Sequence, residues 1–426
     1  MENTILQEAS NHQSWLDFLQ YKLEKQHLSK RDEAQIRDFI ERKAYLPLCR
    51  LWEQGLYPSK LPLKHIINKQ GTGKKRIVYS FPGDEGIFLK FIAFHLFRYD
   101  SFFCNNCYAF RRSFGVMQAM HRIQHTPSLK NKYCLKVDIS NYFNSIDVDI
   151  LLDKLTFIEA TDPCLYQLFT RILKEERVLE NSQIITEQHG AMAGTPISPF
   201  FANVYMQDVD YYFKQLGILY FRYSDDILLF ADTFEELSKL QTTLYQKFSE
   251  RGLSVNPDKE RLTAPLETWE FLGFCYRDGH IDLSDVTIRK MKAKIKRKAD
   301  ALRRWQRKKG LSGEKAAIGL IRAMNRKFFG DAVPGNAKEE KLPEEENEFT
   351  WSRWFFPNLT VDTGLRTIDA YFQEYIRYTV TGRHYKGNYR IRYETMKEWG
   401  YRSLVNEYYK ARTAKNPFTQ STCNML

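Results

Sequence analysis

Leu219-Tyr-Phe-Arg-Tyr-Ser-Asp-Asp-Ile-Leu-Leu-Phe-Ala231 is the stretch that decides the fold. Two short runs rich in aromatic and branched apolar residues flank Ser224-Asp225-Asp226, and such runs around a polar turn predict a β-hairpin. Adjacent carboxylates between apolar strands are costly unless something compensates them. A divalent cation at the rim of a sheet would do so. Mg²⁺ favours one or two carboxylates, waters and substrate phosphates over a full protein cage. The pair therefore points to phosphoryl transfer onto a nucleotide, although aspartates also suit an ordinary surface turn.

A second strand ends in a carboxylate. Tyr133-Cys-Leu-Lys-Val-Asp-Ile139 runs into the aromatic turn Asn141-Tyr-Phe-Asn-Ser-Ile-Asp147. If the two strands are neighbours, Asp138 and Asp225 meet at one sheet edge. A two-metal site follows, its ions roughly 3.5–4 Å apart across the attacking and leaving oxygens. Asp147 and Asp149 read instead as cap residues of the next helix.

Further out, residues 1–45 read as polar helix, and Ile67 to Pro82 as a hairpin around a basic, glycine-containing turn. Residues 85–127 look helical with a break near Cys104–Arg112. Helices are expected over 148–158, 163–175 and 233–251, and a hairpin over 269–283. The segment 287–310 holds twelve Lys and Arg and one acid, Asp300. Its apolar residues Ile288, Met291, Ile295, Ala299, Leu302 and Trp305 recur at steps of three or four, which predicts a helix with one apolar and one very basic face. An acidic stretch around 334–348 reads as a solvated linker.

Composition narrows the function. The chain has 426 residues, 43% hydrophobic and 27% charged, with a formal net charge of +12. That is enough apolar residue for a sizeable core, and the positive surplus suits a polyanionic partner. No apolar run is long enough for a membrane span and the N-terminus lacks a signal-peptide pattern, so a cytoplasmic location is expected. Seven scattered cysteines suit reduced thiols. Cys104 and Cys107 have CxxC spacing, but the two further ligands zinc needs do not follow.

These motifs, in this order, resemble those of the reverse transcriptases over roughly residues 60–330. Asp138 with Tyr142-Phe143 resembles the first catalytic motif, and the resemblance implies that Phe143 lies beneath the sugar and selects deoxynucleotides. Gly194-Thr-Pro-Ile-Ser-Pro199 and Phe200-Phe-Ala-Asn203 resemble the second, with Ser198 and Asn203 expected at the nucleotide. Here Met192-Ala193 replaces the family's usual Pro-Gln. Tyr223-Ser-Asp-Asp226 resembles the YxDD box. Gly252-Leu-Ser-Val-Asn256-Pro-Asp-Lys259 resembles the next motif, in which Lys259 would protonate the pyrophosphate or steady its charge. Gly73-Lys-Lys-Arg76 resembles the fingers strand, with Lys74 and Arg76 on the triphosphate. Trp269-Glu-Phe-Leu-Gly-Phe274 resembles the primer-grip hairpin.

The resemblance implies an α+β right-hand polymerase with an antiparallel palm sheet. Its parts would be an N-terminal extension (1–45), fingers (46–130), palm (131–284, with a helical insertion near 150–190), a helical basic thumb (285–332) and a C-terminal region (333–426). It implies two Mg²⁺ ions held by Asp138, Ile139, Asp225 and Asp226. Phe271, Leu272, Gly273, Lys292, Lys296 and Arg303 would contact template and primer, dNTPs would be the substrates, and a monomeric ribonucleoprotein is favoured. The segment from Trp351 to Leu404 is most similar to bacterial defence-associated reverse transcriptases of the type 2 group. That likeness implies a partner noncoding RNA copied into cDNA, in tandem repeats, during antiphage defence. A retron-type or intron-derived enzyme without a defence role, an RNA-synthesising polymerase, and a non-catalytic RNA-binding protein on the same fold are the alternatives.

Overall fold

The computed structural model describes residues 3–25, 28–68, 75–330 and 350–414. The chain forms two compact units, residues 1–119 with 131–265, and residues 120–130 with 266–426. Both mix or juxtapose helix and strand in an α+β arrangement, as expected.

The first unit opens with helices α1 (Ile5–Ser10), α2 (His12–Lys25), α3 (Lys30–Glu41) and α4 (Tyr45–Glu53). Strands β1 (Leu63–Asn68) and β2 (Lys75–Ser80) follow, then α5 (Asp84–His95). The fully buried Trp15 gathers this layer. Its ring stacks on Phe91 at 3.9 Å and on Tyr45 at 5.2 Å. Aromatic pairs at such distances add to the burial of their large apolar surfaces. Helix α6 (Val116–His125) carries the chain across the boundary between units.

The sheet that matters for function begins with β3 (Tyr133–Asp138). Helices α7 (Val148–Lys154), α8 (Thr156–Glu159) and α9 (Pro163–Lys174) come next. Asp147 caps α7 by accepting from the backbone N–H groups of Asp149 and Ile150, so the capping expectation holds for Asp147. Strands β4 (Arg177–Glu180) and β5 (Gln183–Thr186) complete the sheet β2-β1-β4-β5. The expected helical insertion near 150–190 therefore also contains a β-hairpin. Asn181 and Ser182 both have positive φ, 50° and 65°, as a two-residue type I′ hairpin turn requires.

Helix α10 (Ser198–Gln215) leads into β6 (Tyr220–Tyr223) and β7 (Asp226–Ala231), then α11 (Phe234–Ser249) and β8 (Arg261–Thr263). The antiparallel sheet order is β6-β7-β3-β8. Leu135, Val137, Ile227 and Leu229 on one face and Cys134, Leu228 and Phe230 on the other are all buried, so β7 reads as a continuous apolar run covered on both sides.

The second unit holds a three-stranded meander, β9 (Trp269–Phe271), β10 (Phe274–Arg277) and β11 (His280–Leu283). Helices α12 (Asp285–Lys309) and α13 (Gly313–Phe329) follow, then α14 (Trp351–Phe355), α15 (Thr363–Thr381), α16 (Tyr393–Glu398) and α17 (Leu404–Ala414). The basic helix α12 starts at the cap Ser284 and stops at Gly310, whose φ of 64° suits a left-handed C-cap. Met291, Ile295 and Ala299 bury its apolar stripe, and α13 and α15 pack beside it. Among the described residues no helix is long and apolar enough to cross a membrane.

Candidate active site

The β3–β7 register places Asp138 directly opposite Asp226. The β6–β7 turn consists of Ser224 and Asp225, with Tyr223 paired to Asp226 across it. Ser224 takes φ 62°, an unusual conformation for a side-chain-bearing residue and one of those that cluster at functional sites. The Ile139 N–H donates to the Asp225 carbonyl at 3.0 Å, which locks the turn onto the end of β3. Three carboxylates thus share one end of one sheet.

A neighbouring segment completes the site. Ser140 N–H donates to the Ser254 carbonyl at 2.8 Å, and Asn256 N–H to the Asp138 carbonyl at 2.8 Å. This clasp brings Lys259 Nζ to 2.5 Å from Asp138 Oδ2. On the other flank Lys136 Nζ lies 3.6 Å from Asp226 Oδ1. That oxygen is buried and accepts no hydrogen bond. Burial pushes the Asp226 carboxyl up to about 6, opposed by Lys136 and reinforced by Asp225 and Asp138. Burial and then the charge of Asp138 also raise Asp225, against Lys259 and Arg76. The exposed Arg76 of β2 therefore sends its field to the carboxylates.

The donor set fits a hard divalent cation. Among the described residues no three His, Cys, Asp or Glu side chains form a ready cage. Two or three mutually repelling carboxylates, one with an orphaned oxygen, suit an ion that takes its remaining ligands from water and phosphate. Ile139 could contribute only its main-chain carbonyl, since its hydrocarbon side chain has no donor atom.

Phe143 follows on a 3₁₀ turn entered through Asn141 at φ 46°. Its half-buried ring touches Phe110 at 6.1 Å and Tyr142 at 5.6 Å between centroids. Tyr142 OH donates to the Ala202 carbonyl, tying this turn to α10. The loop 190–194 works as a bracket. Ala191 N–H donates to the Phe143 carbonyl at 2.8 Å, Ala193 N–H to Asn144 Oδ1 at 2.9 Å, and Tyr79 N–H of β2 to the Ala193 carbonyl at 2.7 Å. Gly190 is required there: φ is 55° and an added Cβ would stand 2.6 Å from the Phe143 carbonyl oxygen.

Two expected nucleotide contacts are corrected. Ser198 is fully buried, and its hydroxyl bonds the Met192 carbonyl at 2.5 Å and Thr195 Oγ1 at 2.6 Å. Asn203 is also fully buried, with Nδ2 on the Ala109 carbonyl at 2.8 Å and Oδ1 facing Cys107 Sγ at 3.3 Å. Both brace the fold, because their polar atoms are already satisfied inside it. Lys74 lies outside the described residues.

The reading from sequence missed Arg222. Its side chain is 0% exposed and that of its partner Asp210 is 1% exposed. Arg222 Nε donates to Asp210 Oδ1 at 2.8 Å and Nη2 to Oδ2 at 2.5 Å, while Nη1 reaches the Ser224 carbonyl at 3.3 Å. Burial opposes its charge, yet Asp210 raises its pKa well above the ordinary value. The backbone on either side pairs with Asn106 and Tyr108, so residues 106–108 close the free edge of β6. Arg222 is thus a buried strut behind the carboxylate turn. An arginine in an otherwise apolar strand was the available signal. Burial pushes the Cys107 thiol up to about 12, and it serves this packing.

In the second unit the expected template–primer residues divide. Phe271 is fully buried in β9, and Arg303 bonds the Thr379 and Val380 carbonyls at the end of α15, so neither side chain is free to meet a duplex. Leu272 and Gly273 form the β9–β10 turn with φ of 53° and 88°. The Gly273 carbonyl accepts from Thr287 Oγ1 at 2.8 Å. Lys292 Nζ sits 5.3 Å from the Tyr371 ring centroid, and Lys296 is exposed.

Comparison with known proteins finds a family match for part of the chain. Residues 67–276 match the reverse transcriptase (RNA-dependent DNA polymerase) family. The retron Ec86 reverse transcriptase of Escherichia coli is 21% identical over 174 residues, 40% of this chain and 50% of that protein. The chain thus spans about half the length of the curated relative it matches. Solved structures it is similar to include apo telomerase of Candida tropicalis truncated from its C-terminal domain, at 10% identity over 52% of this chain and 55% of that one, TM-score 0.42. The RNA-dependent RNA polymerase of BmCPV at its elongation state is another, at 10% identity over 69% of this chain and 31% of that one, TM-score 0.46. By that match, residues 67–276, just under half of the chain, carry a reverse transcriptase domain.

Proposed function

We propose that the chain is an RNA-directed DNA polymerase that copies a partner noncoding RNA into cDNA. The observation that carries the reading is the meeting of Asp138, Asp225 and Asp226 at one sheet end, with Lys259 against Asp138. Magnesium, when bound, would supply Lewis-acid activation of a primer hydroxyl and charge neutralisation at the leaving pyrophosphate. Asp138 and Asp225 would hold the ions, with Asp226 and the Ile139 carbonyl in support. Lys259 would give its charge, or a proton, to the pyrophosphate. Arg76 would grip the triphosphate through its planar, forked donors. The Phe143 ring would lie where a ribose 2′-hydroxyl must pass.

In this reading residues 46–130 serve as fingers, 131–284 as palm and 285–332 as thumb. Leu272, Gly273, Lys292 and Lys296 would follow the template–primer backbone, where basic contacts position a duplex without reading its sequence. The similarity of the segment from Trp351 onward to type 2 defence-associated enzymes supports a cytoplasmic, monomeric ribonucleoprotein that makes tandem cDNA against phage. The likeness to a retron reverse transcriptase favours a second reading, a retron-type enzyme with its own template RNA and no defence role.

Sequencing of nucleic acid that co-purifies from cells carrying the native flanking DNA tests both. A discrete RNA with complementary DNA is expected, and tandem junctions would support the type 2 reading. A single-copy cDNA would support the retron-type reading. RNA without any cDNA, even during phage infection, would refute polymerisation.

A further inference from the structure

We propose that the loop between α15 and α16, residues 382–392, is a preformed platform for a single nucleic-acid strand. The segment reads Gly-Arg-His-Tyr-Lys-Gly-Asn-Tyr-Arg-Ile-Arg, with four fixed cations, one histidine, two tyrosines and no acid. Arg383, Lys386, Arg390 and Arg392 are all exposed. Tyr385 and Tyr389 are 56% and 72% exposed, so each leaves a ring face open to a partner. Interleaved cations and open aromatic faces are what single-strand binders use, the cations for the phosphates and the rings for the bases.

The loop is fixed before any partner arrives. Gly382 ends α15 in the left-handed region, its N–H bonded to the Tyr378 carbonyl at 2.7 Å. Asn388 is 5% exposed and acts as a rivet. Its Nδ2 donates to the Arg383 carbonyl at 2.6 Å, and its Oδ1 accepts from Thr381 Oγ1 at 2.8 Å. Arg377 Nε holds the far end through the Ile391 carbonyl at 3.1 Å. The Tyr385 ring lies across its own chain, close enough that a Cβ on Gly387 would stand 2.3 Å from it. Arg377 also sits 5.1 Å from the Tyr389 ring centroid. Ordering such a loop on binding costs conformational entropy, and this one is already ordered.

The surroundings extend the surface. His384 stacks on Tyr378 at 4.5 Å and 11° and pairs with Glu374 at 2.8 Å. Glu374 and the exposed Glu394 are the nearest acids in sequence, outside the loop at either end. Lys292 and Tyr371 continue the cation–aromatic pattern onto α12 and α15.

The strand's identity, template RNA or DNA product, rests on the polymerase reading; the platform itself does not. The test is fluorescence anisotropy of labelled twelve-nucleotide oligo(U), oligo(dT) and a blunt duplex against the full chain, without divalent cation or nucleotide. Tyr385→Ala/Tyr389→Ala should weaken single-strand binding at least about tenfold. Arg383→Gln/Lys386→Gln/Arg390→Gln should lower the slope of log K on log salt by about 2, at roughly 0.7 per phosphate contact. Asn388→Ala, which keeps every ring and cation, should weaken binding by loosening the loop. Melting curves check that each variant folds. Tighter binding of oligo(U) assigns the RNA strand, and tighter binding of oligo(dT) the DNA strand. Single-strand affinity that survives either the tyrosine or the cation variant overturns the proposal, as does binding confined to duplex. An inactive polymerase with tyrosine-dependent binding would sink only the proposed function, and an active one with tyrosine-independent binding only the platform.

Discussion

Asp210→Ala removes the counter-charge of Arg222 while leaving the guanidinium in place. Arg222 is 0% exposed, so no water can replace the two hydrogen bonds it donates to Asp210 at 2.8 and 2.5 Å. Breaking a buried pair by deleting one partner costs about 3–5 kcal/mol. The first unit has about 250 residues, for which each kcal/mol moves Tm by about 2–4 °C, so the variant should melt about 6–20 °C lower. Tyr220 OH, 3.0 Å from Asp210 Oδ1, loses its partner too and pushes the loss toward the upper end. Asp210→Leu/Arg222→Met removes both charges and fills the space, and such swaps are often neutral or stabilising. It should melt within about 5 °C of the native chain. Scanning fluorimetry with a circular-dichroism melt reads both. A fall under about 2 °C for Asp210→Ala would refute the strut argument, as would a double variant no more stable than the single one. The double variant carries a functional expectation as well: the Ser224 carbonyl loses its donor, so primer extension should slow although the fold survives.

Asp225→Ala should lower primer extension at least about 10³-fold, equivalent to about 4 kcal/mol of barrier, while RNA retention on a filter is unchanged; extension within tenfold of native would remove Asp225 from the metal site. Phe143→Ala should raise the ratio of ribonucleotide to deoxynucleotide incorporation by about 10- to 200-fold in single-nucleotide kinetics, the range one steric group supplies, and an unchanged ratio would make Phe143 a packing residue. Gly190→Ala should cost at least about 1–3 kcal/mol in urea unfolding, because φ is 55° and its new methyl meets the Phe143 carbonyl. His95 is held near 4 by burial and then by Arg98, so its unfolded form takes up a proton below about 6.5 and the folded form does not until lower pH. Stability should therefore fall by up to about 3 kcal/mol from pH 6.5 to 4, and the difference curve against His95→Gln isolates that share.

The carboxylate hairpin was legible because apolar runs either side of Ser-Asp-Asp leave few other conformations, and the β3 strand because its short apolar run ends in Asp138. The basic helix was legible from its spacing, and begins only two residues before the expected start. The hairpin β4–β5 was not read, although Val178, Ile184 and Ile185 are strand formers around a two-residue turn, since Asn-Ser is a weaker turn signal than Asn-Gly. Ser198, Asn203 and Arg303 show a different limit. A motif position says which residue stands near a site, but not which way its polar atoms point. Each of the three spends its hydrogen bonds inside the protein. Arg222 is the reverse case: sequence treats it as one more cation, and only tertiary packing makes it a buried partner of Asp210 twelve residues away.

The bracket at residues 190–194 couples two properties that enzymology treats as separate. It grips the Phe143 turn with one hand and β2, the strand of Arg76, with the other. A lineage adapting its sugar preference by altering this loop would shift its triphosphate grip in the same step, so intermediates would suffer for every nucleotide at once. Variation in sugar choice is therefore expected to accumulate at Phe143 and at its ring neighbour Phe110, where the backbone can stay still. Laboratory selection for altered substrates has the same geometry to work with. Libraries centred on those two rings should yield active clones at a higher frequency than libraries centred on the bracket.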